Sequence, residues 1–499
     1  MVTHSSRARS GGRCGFGALA CKIACLSAVL PVLLIVAPAQ SAMLTNVGPR
    51  LPTNIGPRGP MIDSVGPRFD PQTRSNGDGT GGGNSSNAGN SSGGSSANGT
   101  SGGSKSTKSQ VVRRTRSSGV PPGNETRYFP DRVVFELNGS QSDSQVRAFL
   151  NRHRLAQLGT PLQLPLLNTK IYSARILDGS SVPAKTRSME ADGATRHVQP
   201  EYIFVTVGDG VPTPVEAPDA AQYAVPKLHL DQAHLLARGD NVLIAVIDSG
   251  IDVDHPALAG VVEKTFDALN STEGPHAHGT ALAGIIAGQN RLSGAAPKVH
   301  ILGARAFSTT QGSTISIIAS IDWAVSQGAR VINMSFAGPH DPALGRALTA
   351  AHQKSVVLVA ASGNAGPKSP PLWPAADSHV IAVTATDYDD RLYSMANRGS
   401  HVAIAAPGVD ILVANPGAAY KMETGTSFSA GFVSGVAALI LQRKPQLSPD
   451  AVKKVLLSTA RDLGPKGRDD QFGAGLLDAF QAVSAVEKPT EAVLQVPTR

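Results

Sequence analysis

The stretch Val242-Leu243-Ile244-Ala245-Val246-Ile247-Asp248-Ser249-Gly250 decides how the rest of the chain is read. Six apolar residues in a row, without polar alternation, describe a strand covered on both faces. An acid, a serine and a glycine directly after it place a polar turn at the strand's carboxyl end. Similar apolar runs follow at Val331-Ile332-Asn333-Met334, Val356-Val357-Leu358-Val359-Ala360 and Val380-Ile381-Ala382-Val383. Helical spacing fills the intervals, over Ala281 to Ala287, Ser316 to Ser326 and Leu344 to His352. This alternation predicts an α/β domain, a parallel sheet with helices on both faces, over 222–486. In such folds ligands bind where the strands end.

Four polar residues occupy such ends. Asp248 follows the first run. His278 lies in His276-Ala277-His278-Gly279-Thr280 and leads a helix. Asn364 follows the third run, in Ala361-Ser362-Gly363-Asn364. Ser427 lies in Gly425-Thr426-Ser427 and opens the apolar helix Ala430 to Leu441. Each has another reading: a turn acid, a metal ligand, a left-handed turn residue, a helix cap. Convergence of an acid, an imidazole and an alcohol would instead build an activated nucleophile.

Taken together, Asp248-Ser249-Gly250, His278-Gly279-Thr280, Gly363-Asn364 and Gly425-Thr426-Ser427 resemble the signatures of the subtilisin-like serine proteases, in that family's order. Trp373-Pro374-Ala375-Ala376, Ala406-Pro407-Gly408 and Phe472-Gly473-Ala474-Gly475 resemble its connecting landmarks. The resemblance implies a serine endopeptidase working through an acyl-enzyme. Asp248, His278 and Ser427 are its catalytic residues and Asn364 its oxyanion donor. Ser335, Phe336, Ala337, Gly338, Ser362 and Gly363 line the substrate cleft. It implies protein or peptide substrates, a single-chain enzyme, no metal in the site and no required cofactor. Calcium often stabilises such relatives, although no ligand loop stands out here. The chain departs from the pattern at Phe428-Ser429-Ala430-Gly431-Phe432, where Met-Ala-x-Pro-His is usual. Ala281-Leu282 stand in place of His-Val, and Ala337 in place of a frequent glycine.

Upstream, residues 127–207 read as β-α-β-β-α-β. Strands are expected at Val133 to Phe135, Leu162 to Leu164, Ile171 to Ala174 and Tyr202 to Val207. Helices are expected over Asp143 to Leu155 and Val182 to Ala191. This is a small α+β domain of split-βαβ, ferredoxin-like type. By resemblance it is the inhibitory propeptide, an intramolecular partner of the enzyme. Residues 208–221, rich in Pro, Gly and Ala, form a linker in which maturation is expected.

The first 126 residues carry no core. Residues 1–39 read as a signal peptide: Arg7, Arg9, Arg13 and Lys22, an apolar run Ile23 to Val36, then Ala37-Pro38-Ala39. That run is short for a membrane span. The expected destination is secretion, the periplasm or the cell envelope. All three cysteines (Cys14, Cys21, Cys25) precede the cleavage point, so the mature chain would hold no disulfide. Residues 40–126 contain three Gly-Pro-Arg repeats and a Gly/Ser/Asn-rich tether, expected to be disordered. Residues 487–499 form a tail. The net charge of +8 includes the four leader cations, and the modest remainder argues against a nucleic-acid partner. A catalytically dead binding module and a surface-structural protein are the other classes this layout allows.

Overall fold

The computed structural model describes residues 118–207, 213–214, 222–309 and 311–486. The leader, repeats, tether, most of the linker and the tail lie outside these residues. The upstream domain runs β1 (Tyr128–Leu137), α1 (Asp143–Arg152), β2 (Leu155–Gln157), β3 (Leu162–Leu164), β4 (Thr169–Ile176), α2 (Val182–Glu190) and β5 (Thr195–Thr206). Its antiparallel strands lie in the order β5-β1-β4-β2, with β3 also on β4. The expected elements appear with an added strand, β2, between the helices and with two shifted bounds. Helix α1 stops at Arg152, because Arg154 turns into the left-handed region at φ 49° and leads into β2. Strand β5 begins at Thr195 and not at Tyr202.

The order of residues also begins earlier than Arg127. Ser118 Oγ and the Gly119 amide both donate to the Glu190 carboxylate, at 2.8 and 2.6 Å. Residues 118–126 are therefore part of the folded domain, contrary to the disorder expected up to 126. Pairing to a residue seventy positions away leaves no periodic trace in the local sequence.

Beyond the linker come β6 (Thr213–Pro214), α3 (Ala224–Lys227), α4 (Leu230–His234), β7 (Leu243–Asp248), β8 (Val262–Asp267) and α5 (Ala277–Ala287). Next are β9 (His300–Arg305), β10 (Phe307–Ser308), β11 (Gln311–Ser313), α6 (Thr314–Ser326), β12 (Val331–Met334), β13 (Phe336–Ala337) and α7 (Pro342–Gln353). The chain continues through β14 (Val357–Ala361), β15 (Val380–Thr386), β16 (Val402–Pro407), β17 (Ile411–Asn415) and β18 (Ala419–Glu423). It closes with α8 (Thr426–Arg443), α9 (Pro449–Ser458) and α10 (Ala479–Ser484). Seven strands form one parallel sheet, β16-β15-β14-β12-β7-β9-β8.

The unbroken apolar runs have a direct physical counterpart. Ile244 and Val246 of β7 enter one apolar cluster, which α5 and α8 also line. Ala245 and Ile247 enter a second cluster on the other face, under α6 and α7. Strand β14 divides likewise, Val357, Val359 and Ala361 to one side and Leu358 and Ala360 to the other. Helix α8 is buried from Thr426 to Leu441, which explains its lack of a polar face. Gly431 gives up helix propensity for proximity: a Cβ there would stand 2.9 Å from Ile285 Cγ2 of α5.

Candidate active site

The carboxyl end of β7 delivers Asp248, wholly buried. Its Oδ1 accepts from the Ser249 amide at 2.8 Å, from Ser249 Oγ at 3.0 Å and from His278 Nδ1 at 2.8 Å. His278 sits in the first turn of α5, capped by His276, whose Nδ1 accepts from the His278 amide at 3.4 Å. Two contacts thus fix the imidazole: the carboxylate at one nitrogen and the helix turn at its backbone. Phe428 lies against it, ring centroids 6.0 Å apart.

Ser427 is in the first turn of α8, fully buried, and its Oγ donates to the Ser335 carbonyl at 3.3 Å. The Ser335 hydroxyl donates back to the Ser427 carbonyl at 3.2 Å, and Asn333 Nδ2 donates to that hydroxyl at 3.0 Å. Asn364 reaches the same point from the end of β14. Its Oδ1 accepts from the Thr426 amide at 3.1 Å and from Thr426 Oγ1 at 2.9 Å. With that oxygen occupied, the side-chain NH₂ is turned to other acceptors. The structure therefore brings Asp248, His278, Asn364, Ser427 and Ser335 to one end of the sheet. His255, near Asp248 in sequence, is structural: its ring bridges the Ala257 amide and the Ala419 carbonyl. Among the described residues no group of three or more His, Cys, Asp or Glu side chains is placed to hold a metal ion.

The cleft already contains a peptide, the end of the upstream domain. Strand β5 lies antiparallel between two edges. Thr206 and Val205 pair with Phe336 and Ala337 of β13. Val205, Phe204 and Ile203 pair with Gln311, Gly312 and Ser313 of β11. This second edge is the hairpin β10-β11, which starts at Phe307, just beyond the parallel strand β9 that holds Gly303. The Val207 amide donates to the Ser335 carbonyl at 3.1 Å, and the Val207 carbonyl oxygen stands 3.1 Å from His278 Nε2.

Further contacts seat the upstream domain on α6 and α7. Gln199 Nε2 donates to Asp341 Oδ1 at 2.7 Å, while Asp341 also caps α7 and accepts from Thr314 Oγ1 at 2.6 Å. The Leu166 amide donates to Asp322 Oδ1 at 2.8 Å, and Arg346 pairs with the buried Glu136. Burial holds the Asp322 carboxyl above its ordinary range, against the pull of the Leu166 amide. Sequence reading did not find Asp341 or Gln199, which act through partners remote along the chain.

A buried acid bonded to an imidazole, and an alcohol in the first turn of α8, lie at the strand ends of a parallel α/β sheet, and these are the groups a serine hydrolase draws on. The subtilase family model matches residues 239–475. Thermitase of Thermoactinomyces vulgaris is 34% identical over 271 residues, spanning 52% of this chain and 95% of its own. The thermophilic serine proteinase of Bacillus sp. (strain AK1) is 33% identical over 320 residues, 62% of this chain and 78% of that one. Among solved structures, fervidolysin from Fervidobacterium pennivorans, a keratinolytic enzyme related to subtilisin, superposes with a TM-score of 0.61 at 26% identity. That match covers 72% of this chain and 61% of the other. The chain belongs to the subtilase family, and it is a serine-type endopeptidase acting on peptide substrates.

Proposed function

We propose that the protein is an exported zymogen whose upstream domain, residues 127–207 with the folded lead-in from 118, is a propeptide removed by the enzyme's own action. In this reading Ser427 Oγ attacks the substrate carbonyl carbon and His278 Nε2 takes the hydroxyl proton. Asp248 holds the Nδ1–H tautomer and favours the imidazolium that forms. The Asn364 NH₂ and the Ser427 amide donate to the oxyanion, aided by the N-terminal end of α8. His278 then protonates the leaving amine, and water hydrolyses the acyl-enzyme by the same route. The other cleft residues are Ser335, Phe336, Ala337 and Gly338 on one wall and Ser362 and Gly363 on the other. Every group comes from one chain, in keeping with a monomer.

The observation that carries the zymogen reading is the placement of Val207. Its amide donates to the Ser335 carbonyl as that of a substrate residue just before the cut would, and its carbonyl oxygen covers His278 Nε2. That contact occupies the His278 nitrogen that must act as base. The bond between Val207 and Gly208 is thus the maturation site. Export rests on the leader at 1–39. Among the described residues no helix is long and apolar enough to cross a membrane.

N-terminal sequencing of purified wild-type and Ser427→Ala proteins tests this. Wild type is expected to begin at Gly208 after maturation and Ser427→Ala to stay uncut. Peptide hydrolysis should fall at least about 10³-fold in the variant. Unchanged processing in pure Ser427→Ala protein would exclude self-cleavage.

A further inference from the structure

We propose that Asn397, buried behind the loop that carries Asn364, is a positioning residue for it. Asn397 grips the peptide groups on both sides of Asn364 and so aims the Asn364 NH₂ at the oxyanion. The inference rests on reading Asn364 as an oxyanion donor, and it adds a group that acts only through that donor.

The loop has no regular structure to hold it. Residues 362–366 belong to no helix or strand, and glycines of positive φ, Gly363 at 111° and Gly366 at 92°, stand on either side of Asn364 and Ala365. Its fixed points are therefore bonds to other parts of the chain. Thr426 of α8 supplies one set. Its hydroxyl oxygen accepts from the Gly363 amide at 3.2 Å, and its hydroxyl and amide both donate to Asn364 Oδ1. The segment between β15 and β16 supplies the other. The Asn397 amide donates to the Gly363 carbonyl at 2.9 Å, and Asn397 Oδ1 accepts from the Ala365 amide at 2.9 Å. The Met395 carbonyl accepts from the Gly366 amide at 2.9 Å. That segment is itself tied to the parallel sheet, since the Tyr393 amide donates to the Ala385 carbonyl of β15 at 2.9 Å.

Two features separate this role from plain packing. The first is how close the amide lies. A Cβ on Gly363 would stand 2.5 Å from Asn397 Nδ2 and 3.0 Å from its Cγ, so the side chain is pressed against the residue whose carbonyl its backbone holds. The second is its chemistry. Asn397 is wholly buried, and its Nδ2 has no hydrogen-bond partner among the described residues. An unpaired buried NH₂ lowers stability, and an apolar side chain of the same size would avoid that loss. What the apolar side chain lacks is an acceptor for the Ala365 amide. One residue thus holds the carbonyl before Asn364 and the amide after it, which fixes both flanking peptide planes. With Oδ1 held by Thr426 as well, the Asn364 NH₂ keeps a single direction before any substrate arrives.

The test uses matured enzyme, each variant being processed by tagged wild type that is then removed. Active sites are counted by titration with a serine-directed phosphonate, so that unfolded protein does not count, and kcat and KM are measured on a peptide anilide. Asn397→Leu keeps the volume and loses the acceptor. It should lower kcat about tenfold or more with KM within about twofold. Asn397→Ala should do the same, so that if one variant folds poorly the other is read. The pH dependence of kcat/KM should stay in place, because the hydrogen bonds of Asn397 do not involve His278. A double-mutant cycle decides the route. Asn364→Ala alone should lower kcat further than either Asn397 variant, and Asn397→Leu added to it should then change kcat by less than about twofold. Losses that multiply in the double variant would overturn the proposal, as would an unaltered kcat or a loss confined to KM or to the melting temperature. Full turnover in Asn364→Ala would instead sink the oxyanion reading itself, which multiplying losses would leave standing.

Discussion

Strand β7 sends its side chains alternately into two apolar clusters that its own domain closes with helices on either face. Strand β1 of the upstream domain is just as buried from Val133 to Leu137, but it obtains its second cover differently. Val133 and Phe135 point into the upstream domain's own core with Val146, Phe149 and Met189. Val134 joins Tyr202, Phe204, Leu164 and Ile171 in the cluster under α6 and α7 of the neighbouring domain. The parallel sheet is thus self-sufficient, while the antiparallel sheet borrows one face. A sheet that borrows is complete only while it is docked, which fits the proposed removal of this domain.

Substitutions on the two faces of β1 sharpen this contrast. Phe135 stacks on Tyr172 at 5.2 Å and packs on Phe149 at 5.3 Å within the private core. Phe135→Ala should cost about 3–5 kcal/mol. In the uncut Ser427→Ala chain it should speed amide exchange in α1 and α2. Unaltered exchange there would break the claim that this core holds the domain together. Val134→Ala, on the borrowed face, should cost about 2 kcal/mol. The loss should appear as weaker inhibition of matured enzyme by the added upstream domain, with α1 and α2 exchanging as before.

The smallest effect concerns the self-sufficient domain. Burial lowers the pKa of His401 and of His234 below the ordinary imidazole value. Asp470 opposes the shift at His401 and Arg468 adds to it. A depressed histidine binds its proton more readily in the unfolded chain. Stability is then highest above the ordinary value near 6.5 and declines as pH falls through it. The melting temperature of matured enzyme should drop between about pH 7 and 5, with a shallower slope in His401→Gln. An equal slope in the variant would remove His401 from the account.

What could be read from the chain divides along the same line. The parallel strands were legible because both covers are encoded as continuous apolar runs. Asp248, His278, Asn364 and Ser427 were legible because the turn residues around them are short and characteristic. The first half of β5 was not. Arg196, His197, Gln199, Pro200 and Glu201 look like a surface loop, yet Gln199 and Glu201 are buried by Asp341 and Ser173 respectively. Their cover comes from partners 142 and 28 positions away. The same holds for Ser118 and Gly119 on Glu190, and for the edge at Gln311 to Ser313. Gly431 serves a close helix contact, which only the position of Ile285 reveals.

The seating of β5 has one more result. None of its ladder contacts, nor the grip of Ser335 on Val207, involves atoms beyond that residue. In the proposed zymogen, severing the next peptide link leaves the blocked state intact. The moment at which activity starts would then be set by a dissociation rate and by whatever destroys the departed fragment, a timer that can be lengthened or shortened without touching the chemistry.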